Sequence, residues 1–157
     1  MLRAGAIAGV ALMLAACEGA APAPEGTPAV TDTAAVNPVV HFEIPVTDMD
    51  RAIRFYEAVF AVKLERRETD GYDMAFFPRA DGRPGASGAL AKGDVYKPTR
   101  DGAILYFDVP DIHAVIARAE AAGGAVLYPK KDIGAAGFVA EIADSEGNRI
   151  ALSQAAE

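Results

Sequence analysis

Cysteine, histidine and clustered cations are scarce in this chain, and each shortage excludes a class of function. The 157 residues include one cysteine and two histidines. A single cysteine cannot close an internal disulfide or build a cysteine-rich zinc site. The formal net charge is −7 and the sequence pI is about 4.8. Because binding to phosphates needs clustered lysines and arginines, this composition excludes nucleic acid as the partner.

Apolar runs long enough to span a bilayer are also lacking. After MLR, the stretch AGAIAGVALMLAA is too short to span comfortably, and it ends in LAAC, residues 14–17. LAAC resembles the lipobox of bacterial lipoproteins, whose cysteine is acylated and becomes the first residue of the mature chain. The resemblance implies a signal peptide over residues 1–16 and lipidation of Cys17. The alternative is an ordinary secretory signal with an incidental cysteine.

Residues 17–37 then combine the lipidated cysteine with a tether rich in Ala, Pro, Thr and Gly. Such a composition cannot bury enough apolar surface to fold. Loss of the signal peptide removes Arg3, so the formal charge of the mature chain is −7 − 1 = −8. We expect a lipid anchor on the periplasmic side of the cell envelope. Glu18 follows the cysteine where an aspartate would signal inner-membrane retention, which favours the outer membrane.

The rest of the chain repeats itself. HFEIPVTDMDRAIRFYEAVFAVKL, starting at His41, aligns without a gap with ILYFDVPDIHAVIARAEAAGGAVL, starting at Ile104, at an offset of 63 residues. Each copy predicts a strand, an acidic helix N-cap (Asp48 or Asp111) and an amphipathic helix. The repeat therefore predicts two modules of the same architecture.

Three strand-like segments follow each predicted helix, separated by turn sequences such as DG and DSEGN. They are VKLERRET, YDMAFFP and ASGALAK in the first copy, and AVLYPK, GFVAEIA and RIALSQ in the second. The chain is thus predicted to hold two βαβββ modules, at about residues 38–93 and 102–154. On the first helix, Arg51, Arg54 and Glu57 lie opposite the apolar stripe and are predicted to be solvated.

These segments resemble the vicinal oxygen chelate superfamily, which includes glyoxalase I, extradiol dioxygenases and bleomycin-resistance proteins. The resemblance is carried by HFEIPVTDMDRAIRFYEAVF, FDVPDIHAVIARAEAAGG and DSEGNRIAL. It implies one α+β domain over residues 38–155, in which two βαβββ modules form an open, cup-shaped mixed β-sheet with the helices outside. It also implies that strand residues facing into the cup hold a divalent metal in the members that use one.

Of the four metal ligands that the resemblance implies, this chain retains one. His41 matches the first-strand ligand, seven residues before the helix cap, whereas Ile104 stands at the same place in the second copy. Ala151 stands where a last-strand glutamate would lie, and the matching strand of the first copy, residues 87–91, has no carboxylate or histidine. Since zinc and iron sites usually need about three protein ligands, we predict no metal and no other cofactor. A divalent-metal site made of His41 with oxygen ligands is the alternative.

The residues that face into the predicted cup are the candidate functional residues. His41 and Glu43 share one face of the first strand and are the candidate catalytic pair, because a histidine beside a carboxylate can act as a base. Met74 and Phe76, or their neighbours, would add apolar wall. The candidate ligand-binding residues are polar side chains of the second module, namely Tyr106, Asp108, Arg149 and Ser153.

These features predict an exported, lipid-anchored, bleomycin-resistance-like protein that binds a small organic molecule in its cup without the usual metal. The alternative is a glyoxalase-type lyase or isomerase that acts on a small carbonyl compound, either metal-independent or with an atypical His41 site. A structural protein with a vestigial cup is a third hypothesis. The missing ligands disfavour metal-dependent glyoxalase I chemistry in particular. A homodimer is compatible with the resemblance, and the sequence does not decide it.

Overall fold

The computed structural model describes residues 37–79 and 85–156. The predicted signal peptide, Cys17 and nearly all of the predicted tether lie outside the described residues. No helix in the described part of the chain is long and apolar enough to cross a membrane. The elements follow in the order β1 (His41–Pro45), α1 (Met49–Phe60), β2 (Glu65–Thr69), β3 (Tyr72–Phe76), β4 (Ser87–Lys92), β5 (Leu105–Asp108), α2 (Ile112–Ala121), β6 (Ala125–Asp132), a 3₁₀ turn (Gly134–Ala136), β7 (Phe138–Ala143) and β8 (Arg149–Gln154).

Both helices begin at the predicted acidic caps. The Asp48 carboxylate accepts a hydrogen bond from the backbone N–H of Arg51 at 3.0 Å, and that of Asp111 accepts from the N–H of His113 at 2.8 Å. These bonds satisfy backbone donors that the first turn of a helix leaves unpaired. The apolar stripe of α1 is buried; its buried residues are Met49, Ala52, Phe55, Tyr56 and Val59.

The strands form two four-stranded mixed sheets, one in each module. The order is β1-β4-β3-β2 in the first sheet and β5-β8-β7-β6 in the second. In each sheet the first strand of the module pairs in parallel with its last strand, and the other pairs are antiparallel. The predicted α+β fold of two βαβββ modules is therefore confirmed. β1 and β5 are both edge strands of their own sheets, so each has one side that its own sheet does not pair.

One hydrophobic core joins the two modules. Ile44 and Leu90 of the first sheet and Ile150 and Leu152 of the second pack with the buried faces of both helices. Burial of such a side chain contributes about 1.5–3 kcal/mol. The shared core is the reason that residues from Asn37 onward form a single compact unit.

The DSEGN turn between β7 and β8 is a polar clamp on the first module. Asp144 is 3% exposed, and its Oδ2 accepts a hydrogen bond from the Tyr56 hydroxyl of α1 at 2.8 Å. Its Oδ1 accepts from the backbone N–H groups of Glu146 and Asn148 at 2.9 and 2.8 Å. Asn148 Nδ2 donates to the carbonyl of Pro45, the last residue of β1, at 2.8 Å. Burial, followed by the charge of Asp144, raises the pKa of Tyr56 well above its ordinary value, so the phenol stays a donor.

Glu146 extends this clamp to the start of α1. Its Oε2 accepts from the Thr47 N–H and hydroxyl at 2.9 and 2.7 Å and from the Asp48 N–H at 3.0 Å, while Arg51 Nε donates to Oε1 at 2.7 Å. The Glu146 side chain is closed to solvent. Burial alone would raise the pKa of Glu146, but the hydrogen bonds from Arg51, Thr47 and the backbone outweigh it and lower the pKa to about 2. Arg51 and Arg54 are both exposed, as predicted, and the ion pair with Glu146 is an additional contact of Arg51 that the sequence did not predict.

Candidate ligand-binding site

His41 and Glu43 lie on one face of β1, as strand alternation predicts. Both are partly open, with 35% and 37% of their side chains exposed, and His41 Nε2 is 3.7 Å from Glu43 Oε1. The His41 ring lies 6.4 Å from that of Phe76, which places Phe76 on the same side of the sheet. Ala75 and Phe77 instead join the shared core. The sequence did not decide which residues of β3 add apolar wall to the cup, and in the structure they are Met74 and Phe76.

Ser87 on β4 contacts the ring of His41. Its register partner on β1 is His41, and Ser87 Oγ is 2.6 Å from His41 Nδ1. Ser87 Oγ also lies 2.9 Å from the carbonyl of Val40, which already accepts from the Ser87 N–H at 3.0 Å. The hydroxyl can donate its proton to that carbonyl or to Nδ1, so these contacts position the ring without selecting its tautomer. Nε2 is the ring nitrogen that faces Glu43.

Tyr96, from the segment that links the modules, completes this cluster and has no counterpart in the sequence-based predictions. Its hydroxyl donates to Glu43 Oε2 at 2.6 Å, and its ring lies 5.3 Å from that of Tyr72 in an edge-to-face arrangement. The hydrogen bond to Glu43, with a smaller effect of burial, raises the pKa of Tyr96 to about 12. The ring covers a small apolar group on the cup face of the first sheet, formed by Met74, Ala89 and Ala91.

The donor set at the positions implied by the resemblance does not fit a divalent metal. On the neighbouring strand of the same sheet, Ser87 is the register partner of His41, and Ala89 is that of Glu43. In the second sheet Ala151 is fully buried opposite Tyr106. Over residues 37–79 and 85–156, no three His, Cys, Asp or Glu side chains come together as a group that could hold a metal ion. We therefore derive no chemistry through a metal at this site.

The four predicted ligand-binding residues separate in the structure. Tyr106 and Asp108 line a pocket of about 380 Å³. Arg149 lines a different cavity, of about 80 Å³, together with Glu43. Within the described residues the buried Nε of Arg149 has no hydrogen-bond partner, and it lies 3.6 Å from Glu141 Oε2. Ser153 is half-buried on β8 and lines neither of these cavities.

The larger pocket, which we call the seam pocket, has walls from both edge strands, β1 and β5. Its floor is a set of three phenylalanine rings, Phe42, Phe77 and Phe107, with centroids 5.8–5.9 Å apart. Phe42 lies on the face of β1 opposite His41 and Glu43, so the cup-facing residues predicted from the sequence did not include it. Alternation along a strand separates its two faces, but an edge strand offers residues of both faces to a gap beside it. The described residues that line it are Val39, Phe42, Phe77, Ala86, Leu105, Tyr106, Phe107 and Asp108.

A second apolar pocket, of about 320 Å³, adjoins the seam pocket. The two share Phe77, Phe107 and Asp108. The second pocket continues past Phe60 at the end of α1 to Arg118 on α2, whose Nε donates to the carbonyl of Val59 at 2.8 Å. The aromatic floor therefore serves two adjacent concavities.

Comparisons with known proteins agree with this architecture. Residues 39–152 match the family model of the Glyoxalase/Bleomycin resistance protein/Dioxygenase superfamily. No curated protein matches the chain significantly. Among solved structures, the chain is similar to a mutant glyoxalase I from Zea mays, with 20% identity and a TM-score of 0.59, over 73% of this chain and 46% of the maize chain. The chain thus spans about half the length of the maize enzyme.

Two shorter proteins are matched over most of their length. The trypanothione-dependent glyoxalase I of Leishmania major is 22% identical, with a TM-score of 0.58, over 75% of this chain and 86% of that one. TnmS3, an antibiotic binding protein from Streptomyces sp. CB03234, is 25% identical, with a TM-score of 0.55, over 78% of this chain and 98% of that one. The family expected from the repeat and the DSEGN turn is confirmed. With the matched region spanning both βαβββ modules, the chain belongs to the Glyoxalase/Bleomycin resistance protein/Dioxygenase superfamily.

Proposed function

We propose that this protein captures a small, largely apolar organic molecule in the seam pocket, without using a metal, while a lipid anchor holds it in the cell envelope. The observation that carries the proposal is the pocket of about 380 Å³ with its floor of phenylalanine rings. Ligand sites typically measure roughly 300–1,000 Å³ and combine apolar walls with a few polar groups. Tyr106 and Asp108 supply those polar groups here.

Exposure of the rim supports capture from solution. Tyr106 is 57% exposed and Val39 is 53% exposed, although both have large apolar surfaces. Exposed apolar surface around a concavity is typical of binding sites, because a ligand removes it from water. The antibiotic binding described for the Streptomyces relative is consistent with capture as a function for this fold.

A blocking substitution tests the pocket. The full-length chain, kept in lipid nanodiscs because detergent tails would enter an apolar pocket, is screened by thermal shift against small aromatic and alicyclic compounds. Val39→Trp should fill the pocket and abolish the ligand-induced shift. Val95→Trp is the matched control, since Val95 is 64% exposed on the linking segment and lies outside the pocket lining. A screen without a stabilising compound, or equal shifts in the Val39→Trp variant, would contradict the proposal.

The envelope location is a separate part of the proposal. It is supported by the LAAC sequence, where Cys17 is the only cysteine of the chain. Several acyl chains on one residue suffice for stable anchoring, whereas a single chain is marginal. Metabolic labelling with an alkyne fatty acid should mark the wild-type chain and fail with Cys17→Ser. Labelling that persists in the variant would refute lipidation at Cys17, and fractionation of the labelled cells would separate inner from outer membrane.

A second candidate function is metal-independent acid–base chemistry on a small carbonyl compound. The observation in its favour is the His41 cluster, in which Ser87 contacts Nδ1 and Nε2 lies 3.7 Å from Glu43 Oε1. A base in this position removes a proton next to a carbonyl, and the Tyr96 hydroxyl is near enough to Glu43 to hold that carboxylate in place. Glu43 could accept the proton instead of His41.

Exchange of a substrate proton measures this activity directly. Small hydroxy ketones in deuterated water should lose their α-hydrogen faster with the protein than without it, as followed by NMR. His41→Gln should remove the acceleration, and Ser87→Ala should reduce it by removing the contact that positions the His41 ring. If both variants match the wild type, the cluster is not catalytic.

A further inference from the structure

The described residues around the seam pocket carry charge of one sign. The eight that line it include one carboxylate, Asp108, and no lysine, arginine or histidine. Asp108 is exposed at the end of β5, and within the described part of the chain no hydrogen bond or ion pair engages its carboxylate. Over residues 37–79 and 85–156, Asp108 therefore stands at the rim without a counter-ion.

The arginine that lines the adjoining pocket is already engaged. Arg118 lines the neighbouring pocket, which shares Asp108 with the seam pocket. Its Nε is bound to the carbonyl of Val59 at 2.8 Å, and it forms no ion pair with Asp108 among the described residues. The Asp108 carboxylate is left to interact with whatever enters the pocket.

The aromatic floor also favours a positively charged ligand. Phe42, Phe77 and Phe107 have ring centroids 5.8–5.9 Å apart, and Tyr106 adds a fourth ring at the rim. The faces of such rings carry partial negative charge and attract a desolvated ammonium within about 6 Å. Rings and carboxylate together favour a cation that also has apolar surface.

We propose that the ligand class of the seam pocket is an organic cation, a tertiary or quaternary ammonium that carries an apolar or aromatic substituent. The proposal rests on the capture function proposed above and specifies its ligand. The apolar substituent lies against Phe42, Phe77 and Phe107, and the ammonium lies between the Tyr106 ring and the Asp108 carboxylate. The negative net charge of the chain, −7, raises the local concentration of such cations.

Three probes that share a benzyl group separate charge from hydrophobicity. They are benzyltrimethylammonium, its neutral carbon isostere neopentylbenzene, and the anion phenylacetate. Each is titrated into the full-length chain in nanodiscs, with calorimetry and thermal shift as readouts and protein-free nanodiscs as the blank. We expect the cation to bind about tenfold more tightly than the neutral isostere, and the anion not to bind.

Two carboxylate variants locate the effect. Asp108→Asn should weaken cation binding about tenfold and leave the neutral isostere unchanged. Asp94→Asn makes the same charge change at an exposed residue outside the pocket lining, and should leave all affinities unchanged. Equal binding of the cation and the isostere, or an unaltered cation affinity in Asp108→Asn, would overturn the cation assignment and leave capture standing. Absence of binding by all three probes, together with a failed compound screen, would overturn both.

Discussion

The two ends of the boundary between the modules are built from opposite kinds of contact. At the end of β1 marked by Pro45, the DSEGN turn grips the first module through Asp144, Glu146 and Asn148, and each bond has defined direction. At the other end, beside Val39, the modules meet through phenylalanine rings and leave the seam pocket. One end is closed by polar groups that satisfy one another, whereas the other is open and apolar.

This difference shows how a small domain can hold its two modules in a fixed orientation and still keep a pocket open between them. Buried hydrogen bonds fix relative orientation, because any displacement leaves polar groups unpaired. Ring contacts stabilise in proportion to buried area without fixing direction, so they tolerate a concavity. We infer that the clamp sets the spacing of the modules, and that this spacing allows the pocket at the far end to stay open.

The largest expected effect is that of Asp144→Ala, which tests whether the clamp is the rigid end. The change leaves the Tyr56 hydroxyl, the Asn148 side chain and two backbone N–H groups without their acceptor. We expect a loss of about 3–5 kcal/mol in the free energy of unfolding, as measured by urea titration. Tyr56→Phe removes one of these bonds and should lose about 1 kcal/mol. A loss below 1 kcal/mol for Asp144→Ala would show that the clamp does not hold the modules.

The next effect is the contribution of Glu146, in the clamp, to the pH dependence of stability. The pKa of Glu146 is about 2 in the folded protein against an ordinary 4.5, so its ionised form stabilises the fold. Because this pKa is lowered in the folded protein, ionised Glu146 adds about 3 kcal/mol to the free energy of unfolding above about pH 4.5. This contribution is lost as the pH falls towards 2. Glu146→Gln should therefore be clearly less stable than the wild type at pH 7 and nearly equal to it at pH 2. A difference that does not change with pH would contradict the ionic role.

The smallest expected effect distinguishes ligand binding in the seam pocket from ligand binding on the cup face of the first sheet. A Cβ at Gly88 would meet the Phe42 ring of the pocket floor, and a Cβ at Gly93 would meet the Tyr72 ring on the cup side. Each alanine should destabilise the fold by about 1–3 kcal/mol through overpacking. Only Gly88→Ala should also weaken binding in the seam pocket, because only it displaces a floor ring. Equal loss of ligand affinity in both variants would place the binding site elsewhere.

Much of the fold could be predicted from the sequence because its signals are local. The caps Asp48 and Asp111 and the helical stripe between Met49 and Val59 depend on neighbours a few residues away. The 63-residue repeat then required the same architecture twice. The placement of His41 and Glu43 on one face also followed from the two-residue period of a strand.

The site could not be predicted in the same way, because its residues meet only after the modules pack. Tyr96 is in a segment without periodicity, yet its hydroxyl reaches Glu43 across 53 residues. Arg51 has the helix position of a solvated side chain but binds Glu146, 95 residues away. Phe42 reads as a core residue, although it contributes to the pocket floor because β1 is an edge strand.

The sequence by itself determined the two βαβββ modules, the loss of three of the four implied metal ligands, and the family. These depend on residue identity and short-range pattern, which a chain carries before it folds. The tertiary structure decided that the DSEGN turn clamps the first module, that Arg149 is apart from Tyr106 and Asp108, and that the larger pocket lies at the seam. Those facts depend on how two edge strands approach each other, and the packing of the shared core fixes that approach rather than any local signal.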